Sequence, residues 1–286
     1  MAFSPARPGT RMRDRQAADT VAVLIPVFDD RGTLASTLRS IDDDALDVVI
    51  VVVDDGSATA VAKLQSYSRH EVVVLRHPVN RGIEHALNTG LEYIRDRGIE
   101  YVARLDNGDR CVPGRLAKQL AFLRTNIAVH LVGSAVEWRD DEGRSRFTRA
   151  FPRSHEEIVR VLHHTTALIH PSVMFRSSVV DSVGPYSAQY PAAEDLEFFW
   201  RIARRHRVAN MPETLLITRF DPLGLSIRRR RRQLASTLRI QLRFFDPKVS
   251  ASYYGIAKTL GRFLVPYGWV VTLKRLTGAR REVATA

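Results

Sequence analysis

The chain has 286 residues, 45% hydrophobic and 26% charged, enough apolar material for one large α/β domain or two small ones and too much for a disordered polymer. Its single cysteine, Cys111, excludes an internal disulfide framework and fits a reducing cytosol. The net charge of +12 is uneven: residues 223–286 hold 14 Lys/Arg against 2 Asp/Glu, which leaves the rest of the chain neutral. A balanced body with a basic extension points to an anionic surface near the tail. No DNA- or RNA-reading module accompanies the arginine run, so nucleic acid is not expected as a partner.

Residues 1–18 place Arg7, Arg11, Arg13 and Arg15 among Pro and Gly with no apolar core, and are expected to form a disordered basic arm and not a secretory signal. VAVLIPV (21–27), VVIVVVDD (48–55), EVVVLRH (71–77) and EYVARLD (100–106) follow as short β-branched runs. The first two lack polar alternation, the pattern of parallel strands covered on both faces. Between the runs, Leu34, Leu38 and Ile41, then Val61 and Leu64, then Ala86, Leu87, Leu91 and Ile94 recur at helical spacing. Strand and helix alternate, which predicts βαβ units and a doubly wound sheet.

Pro113 opens a predicted helix, PGRLAKQLAFLR, followed by a strand HLVGSAVEW (130–138) and a polar turn. Ser154 and Glu157 have capping-box spacing before IVRVL. HPSVMFR (170–176) reads as another strand and AEDLEFFWRIARR (193–205) as an amphipathic helix. In the tail, RRRRRQLASTLRIQLRFF (228–245) carries a stripe of Leu234, Leu238, Leu242 and Phe245 beneath an arginine-rich face, and FLVPYGWVV (263–271) adds aromatics. That segment is too short to span a bilayer, but a basic amphipathic helix beside interfacial Trp and Tyr is expected to lie on a membrane surface.

Three predicted strands end in acids: Asp29 and Asp30, then Asp54 and Asp55, then Asp106 and Asp109. Open parallel sheets bind ligands beyond the carboxyl ends of their strands, so these acids are expected on one rim. Carboxylates crowded there repel unless a cation or a ligand's donors compensate them, which points to a metal–nucleotide site. The chain lacks both the G-x-x-x-x-G-K-[ST] loop and a G-x-G-x-x-G turn after a strand, so neither P-loop nor dinucleotide chemistry is supported. His163, His164 and His170 lack zincin spacing and read as packing or hydrogen-bonding residues.

LIPVFDD, VVVDDGS, NRGIEHALNTG (80–90), ARLDNGDR, PGRLAKQLAFL, IHPSVMFR, the AED…WR segment and TRFDPLGLS together resemble, in order, the motifs of glycosyltransferase family 2 over roughly residues 20–226. Among subgroups they look most like bacterial transferases that build exopolysaccharide or capsule repeat units. The resemblance implies a GT-A fold, with a Rossmann-like, mixed but mostly parallel sheet flanked by helices over residues 19–222. Its nucleotide-binding half would be 19–112 and its acceptor half 113–222, with a basic helical extension over 223–286.

The implied activity is inverting transfer of a sugar from a nucleotide-diphosphate donor to a hydroxyl of a glycan or polyprenyl-diphosphate-linked acceptor, at the inner face of the cytoplasmic membrane. By the same resemblance Asp195 is the expected base, with Glu194 beside it. The expected donor-binding set is Pro26, Phe28, Asp29, Asp54, Asp55, Arg81, Asn88, Arg104 and Asp106. The chain departs from the family at two points. The usual D-x-D-D reads Asp106, Asn107, Gly108, Asp109, and the usual His-Pro reads Asp221-Pro222. A divalent cation, Mg²⁺ or Mn²⁺, would then be held by Asp106, Asp109 and Asp221, the acid absent at Gly108 being offset at Asp221. The alternatives are a degenerate GT-A scaffold protein and a nucleotidyltransferase. The intact Asp195 weighs against the first, and the glycine-poor IPVFDDRGT loop against the second.

Overall fold

The computed structural model describes residues 20–41, 46–61, 64–220 and 230–264. The predicted arm 1–18, Asp221 and the aromatic segment beyond residue 264 lie outside the described residues. Strands β1 (Thr20–Val27), β2 (Asp47–Asp54), β3 (Glu71–Arg76) and β4 (Tyr101–Arg104) form a parallel half-sheet in the order β3-β2-β1-β4. Register places Val27 opposite Asp54 and Leu24 opposite Arg104, which aligns the acid-bearing ends of the three strands.

The sheet continues through β5 (Arg110–Cys111), β6 (Val129–Arg139), β7 (Ser145–Arg149), β8 (Met174–Arg176) and β9 (Arg207–Arg219). β8 runs antiparallel to β4 and β6, β9 is parallel to β6, and β5 closes the path antiparallel to β9. The result is the mixed, mostly parallel sheet of a GT-A fold.

Helices α1 (Leu34–Arg39), α2 (Ile83–Asp96), α3 (Arg115–Thr125), α4 (His155–Leu162), α5 (Val179–Val183) and α6 (Glu194–Arg205) cover the sheet. Alternate strand residues feed two cores. Leu24, Val51 and Val53 pack with Leu87, Leu91, Phe198 and Trp200, while Val23, Ile25 and Ile50 pack with Leu34, Leu38, Leu116 and Leu120. Each such buried side chain contributes about 1.5–3 kcal/mol of transfer free energy, which explains why unalternated apolar runs form these strands. Ser154 caps α4 reciprocally with Glu157, as its spacing predicts.

Two readings are corrected. HPSVMFR is not one strand. His170–Ser172 make a 3₁₀ turn and only Met174–Arg176 pair, because Pro171 has no N–H to give a ladder. The tail forms two helices, α7 (Arg230–Arg243) and α8 (Ser250–Leu264), with a buried face rotated from the predicted one. Leu234, Ile240 and Gln241 are buried while Leu242 is 57% exposed. Docking sets this rotation: Phe244 stacks on Trp200 of α6 with centroids 5.0 Å apart, and Ser236 donates to the Pro191 carbonyl at 2.9 Å. Gly255 of α8 packs so closely that a β-carbon there would lie 1.9 Å from the His163 carbonyl oxygen.

Candidate active site

The acids at the strand ends divide into two kinds. Asp54 is fully buried and accepts hydrogen bonds from the Ser57 amide at 2.9 Å and from Arg76 at 3.0 Å, which folds the loop after β2 back on its strand. Asp55 accepts from the Arg81 and Gly82 amides at 3.0 and 2.9 Å, and its Oδ1 lies 2.7 Å from His77 Nδ1. That carboxylate ties the β2 loop to the N-terminus of α2. Gly56 sits between them at φ 74°, where a β-carbon would come within 2.3 Å of the Val79 carbonyl carbon. Only glycine fits this crossing.

Asp29, itself at φ 48°, receives the Ala58 amide at 3.0 Å and gives its own amide to Ser57 Oγ, locking the β1 loop to the β2 loop. Asp30 accepts from Thr33, Leu34 and Asn107. Burial pushes its carboxyl up, but these bonds outweigh that and hold it below the usual carboxylate range. All four acids, Asp29, Asp30, Asp54 and Asp55, therefore shape loops, so their charges are met by protein donors and do not converge on one cation. Protein amides supply the compensation.

The second kind lies beyond β4. Arg104 is fully buried and donates to its neighbour's carbonyl and, at 2.5 Å, to Asp106, whose side chain is 40% exposed. Asp109 is buried against Thr218 of β9, whose hydroxyl donates to it at 2.5 Å. Burial first, then the nearby Asp106, push the Asp109 carboxyl up to about 8. Asn107 leaves the cluster to bridge Asp30 and Thr33. Gly108, at φ 96°, gives its amide to Thr37 Oγ1 at 2.9 Å, so the position where the family places a second acid has a backbone that favours glycine.

Helix α6 brings the remaining pair to this cleft. Glu194 and Asp195 occupy its first turn, and Leu196, Phe199, Trp200 and Ala203 anchor it in the core. Burial raises the Asp195 carboxyl, with the Asp106 charge adding to the effect and Arg104 opposing it. Glu194 is 8% exposed and is pushed up to about 7 by burial and by Asp195. Its Oε2 makes no hydrogen bond among the described residues. Residues from β4 and α6, about ninety positions apart in sequence, thus share one electrostatic field. Glu84, in the first turn of α2 beside Gly82, also acts on Glu194 and joins the Asp55 loop to the cleft.

The other candidate contacts lie at the end of β1, just before α2 and within α2. Pro26 is partly buried, and Phe28 stands 51% exposed beyond β1 with a ring open to a ligand. The side chain of Arg81 is exposed. Asn88 spends its amide on the backbone of Tyr186, donating to the carbonyl at 2.9 Å and accepting from the N–H at 2.8 Å. It therefore positions the loop before α6. Tyr186 and His170 are residues that sequence reasoning missed as part of the site. They pair at 2.9 Å beside Arg104, and burial holds His170 well below its ordinary value, as a neutral ring. An isolated buried histidine gives no periodic signal by which to find it.

The donor set at the cleft is oxygen-only and suits a hard cation. Asp106 is its accessible member. Among the described residues no group of three or more His, Cys, Asp or Glu side chains forms a metal shell.

Acids at the carboxyl ends of the parallel strands thus share a rim with an acidic pair at a helix start. The family model of glycosyl transferase family 2 matches residues 22–184, and the chain belongs to that family. It is 34% identical over 119 residues to the amylovoran biosynthesis glycosyltransferase AmsE of Erwinia amylovora, which covers 41% of this chain and 44% of AmsE. It is 27% identical over 173 residues to an uncharacterized glycosyltransferase of Haemophilus influenzae, covering 58% of this chain and 61% of that one. The matches thus span about half the length of these relatives.

Among solved structures, S. aureus TarS 1–349 superposes with a TM-score of 0.62 at 15% identity, over 85% of this chain and 71% of that one. The mannosyltransferase PcManGT of Pyrobaculum calidifontis, in complex with GDP-Man and Mn²⁺, gives 0.57 at 16% identity over 92% and 76%. TarS 1–349 has also been solved in complex with UDP and with UDP-GlcNAc. These likenesses establish the shared fold.

Proposed function

We propose that the chain is an inverting glycosyltransferase that moves a sugar from a nucleotide-diphosphate donor to a hydroxyl of a glycan or polyprenyl-diphosphate-linked acceptor in the synthesis of a bacterial surface polysaccharide. The carrying observation is the shared field of Asp106, Arg104, Glu194 and Asp195. The relation to AmsE, named for amylovoran biosynthesis, supports the polysaccharide reading, and the UDP, UDP-GlcNAc and GDP-Man complexes of the fold's other members support the donor class.

In this mechanism the loops pinned by Asp29, Asp54 and Asp55 form the nucleotide floor. Phe28 offers its exposed ring to the base, and Pro26 and Arg81 border the same edge. Asp195 takes the proton of the attacking acceptor hydroxyl as that oxygen displaces the diphosphate at the anomeric carbon. A single carboxylate base suffices for direct displacement. Burial raises both carboxyls of the pair, and the charge of Asp195 pushes Glu194 up further, so the two acids oppose each other's ionisation beside the acceptor hydroxyl.

Diphosphate oxygens entering a cleft this rich in carboxylates need a positive partner besides Arg104. Asp106 would hold Mg²⁺ or Mn²⁺ there, with Asp109 and Asp221 as its proposed companions. When bound, such a cation stabilises the charge that develops on the leaving diphosphate. Gly108 leaves room beside Asp106, since a β-carbon there would meet nothing closer than Thr33 Oγ1 at 3.7 Å.

The acceptor half also presents an aromatic ledge. Trp138 stacks on Phe147 at 4.8 Å and Phe220 meets Phe147 edge-on at 5.9 Å, one strand beyond the Thr218–Asp109 contact. Such rings suit the apolar faces of sugars. The chain is proposed to work in the cytoplasm at the inner membrane surface, its basic tail against the lipid. Among the described residues no helix is long and apolar enough to cross a membrane.

The test is a screen of nucleotide sugars, read as release of nucleoside diphosphate with Asp195→Asn as control. Turnover of one donor that vanishes in the variant supports the assignment. No turnover of any donor, or equal turnover by both proteins, defeats it.

A further inference from the structure

At the far end of α6 from the catalytic pair lies a cavity of about 360 Å³ lined by Val183, Arg201, Arg204, Arg205, Arg243 and Phe244. Nine helical positions separate Asp195 from Arg204, roughly 14 Å along the axis, so this cavity is not part of the acidic cleft. Four of its six lining residues are arginines, drawn from α6 and from the end of α7.

Most of the obvious structural work is assigned to two of them. Arg201 holds both Glu197 oxygens at 2.9 Å and donates to the carbonyls of Val183, Gly184 and Pro185. Arg205 donates to the Ser182 carbonyl. These bonds satisfy the end of α5, the usual role of a cation near helix C-terminal carbonyls. Arg243 reaches Glu197 at 2.8 Å and the Tyr190 hydroxyl at 3.2 Å, so Glu197 is shared between two guanidiniums. Arg204 is exposed and makes no ion pair or side-chain hydrogen bond among the described residues. Asp246, just past α7, turns its carboxylate to the Lys248 amide.

Four guanidiniums around one shared carboxylate give the cavity a net formal charge of +3, with Arg204 the member that has no side-chain hydrogen-bond partner among the described residues. Planar guanidinium forks match the oxygens of a phosphate group. The cavity wall also leads to apolar surface. Phe244 is followed by Phe245, whose ring meets Tyr253 at 4.9 Å, and from Tyr253 the exposed side of α8 continues to Leu260, Phe263 and Leu264. A charged pocket beside an outward apolar stripe suits a ligand with a phosphate head and a hydrocarbon body. A soluble anion would have no use for the stripe.

We propose that this cavity binds the phosphate of an anionic lipid headgroup and thereby docks the base of the catalytic helix on the membrane. The inference rests on the membrane-surface reading given above and specifies where the contact is made.

The full chain is sedimented with phosphatidylcholine vesicles with and without phosphatidic acid, beside three variants. R204E/R205E alters the cavity, R231E/R232E makes the same charge change at the exposed start of α7, and R204K/R205K keeps the charge. The wild type is expected to bind only the acidic vesicles. R204E/R205E should lose about tenfold in affinity, while R231E/R232E stays within about threefold of wild type and R204K/R205K retains most of the binding. Equal losses in the two Glu doubles, or undiminished binding by R204E/R205E, overturn the proposal. So does a wild type that binds inorganic pyrophosphate through these arginines but no vesicle.

Unchanged melting temperatures confirm that the variants fold. Nucleoside diphosphate release with a soluble acceptor is followed in parallel and is expected to be the same in all four proteins. Cavity-dependent vesicle binding by a chain with no transferase turnover would remove the proposed reaction and leave this site standing.

Discussion

At the nucleotide end of the molecule, Asp54 and Asp55 are buried among loop amides, Arg76 and His77, and are satisfied in the free protein. Across the same rim, Asp109 and Glu194 are buried and Asp195 is half-buried, with few donors, and all three are raised in consequence. Both groups are strand-end or helix-start acids withdrawn in whole or in part from solvent. The difference lies in the donors: loop amides, Arg76 and His77 for the first, and for the second chiefly Arg104, to which the proposed mechanism adds a cation. Acids of the first kind build the floor, and those of the second kind are available for chemistry.

That contrast can be broken at either end. Removing bound cation with EDTA is expected to cost the enzyme about a hundredfold or more in turnover, restored by Mn²⁺ or Mg²⁺, because the leaving diphosphate otherwise faces uncompensated carboxylates. Full activity without metal would place the charge compensation on Arg104 alone. Asp55→Ala leaves the Arg81 and Gly82 amides and His77 without their acceptor and should destabilise the fold by about 2–4 kcal/mol in urea titration. Asp106→Ala should abolish turnover and cost less stability than Asp55→Ala, because the loss of the buried Arg104's carboxylate is partly offset by relief of Asp109 and Asp195.

A smaller effect separates the two groups by pH. Folded Glu194 and Asp109 titrate near 7 and 8, above their ordinary values of 4.5 and 3.8, so the folded state keeps protons that the unfolded state releases. Their contribution is fully present below about pH 4 and is lost as pH rises through 7 to 8. The melting temperature of the metal-free protein should therefore fall between pH 5 and 8, and Asp109→Asn should flatten that slope. The smallest expected change is at Leu242, exposed on α7. Leu242→Gln should shift stability by less than about 0.5 kcal/mol.

The parallel half was legible residue by residue, because buried β-branched runs and strand-end acids report their environment directly. β1 to β3 and α6 lie within a residue or two of their predicted bounds. β9 was not legible. Pro212 and Glu213 interrupt its pattern, and they sit in a register shift where Met211 pairs with Ser134 and Thr214 with Ala135, a bulge that only a sheet partner reveals. In the site, the acids could be named but not sorted. Asn107 and Ser57 decide which carboxylates are satisfied, and those bonds cross loops about 30 to 80 positions apart. In the tail, the stripe was misplaced because the stacking of Phe244 on Trp200 chose the buried face.

The decisive measurement is the separation of chemistry from donor binding in Asp195→Asn, with kcat from nucleoside diphosphate release and donor affinity from calorimetry. Loss of the base should lower kcat by about 10²–10⁴ while the donor binds within about threefold of wild type. A variant that keeps its kcat, or one that loses donor binding instead, would contradict the assignment of this carboxylate as the group that takes the acceptor's proton.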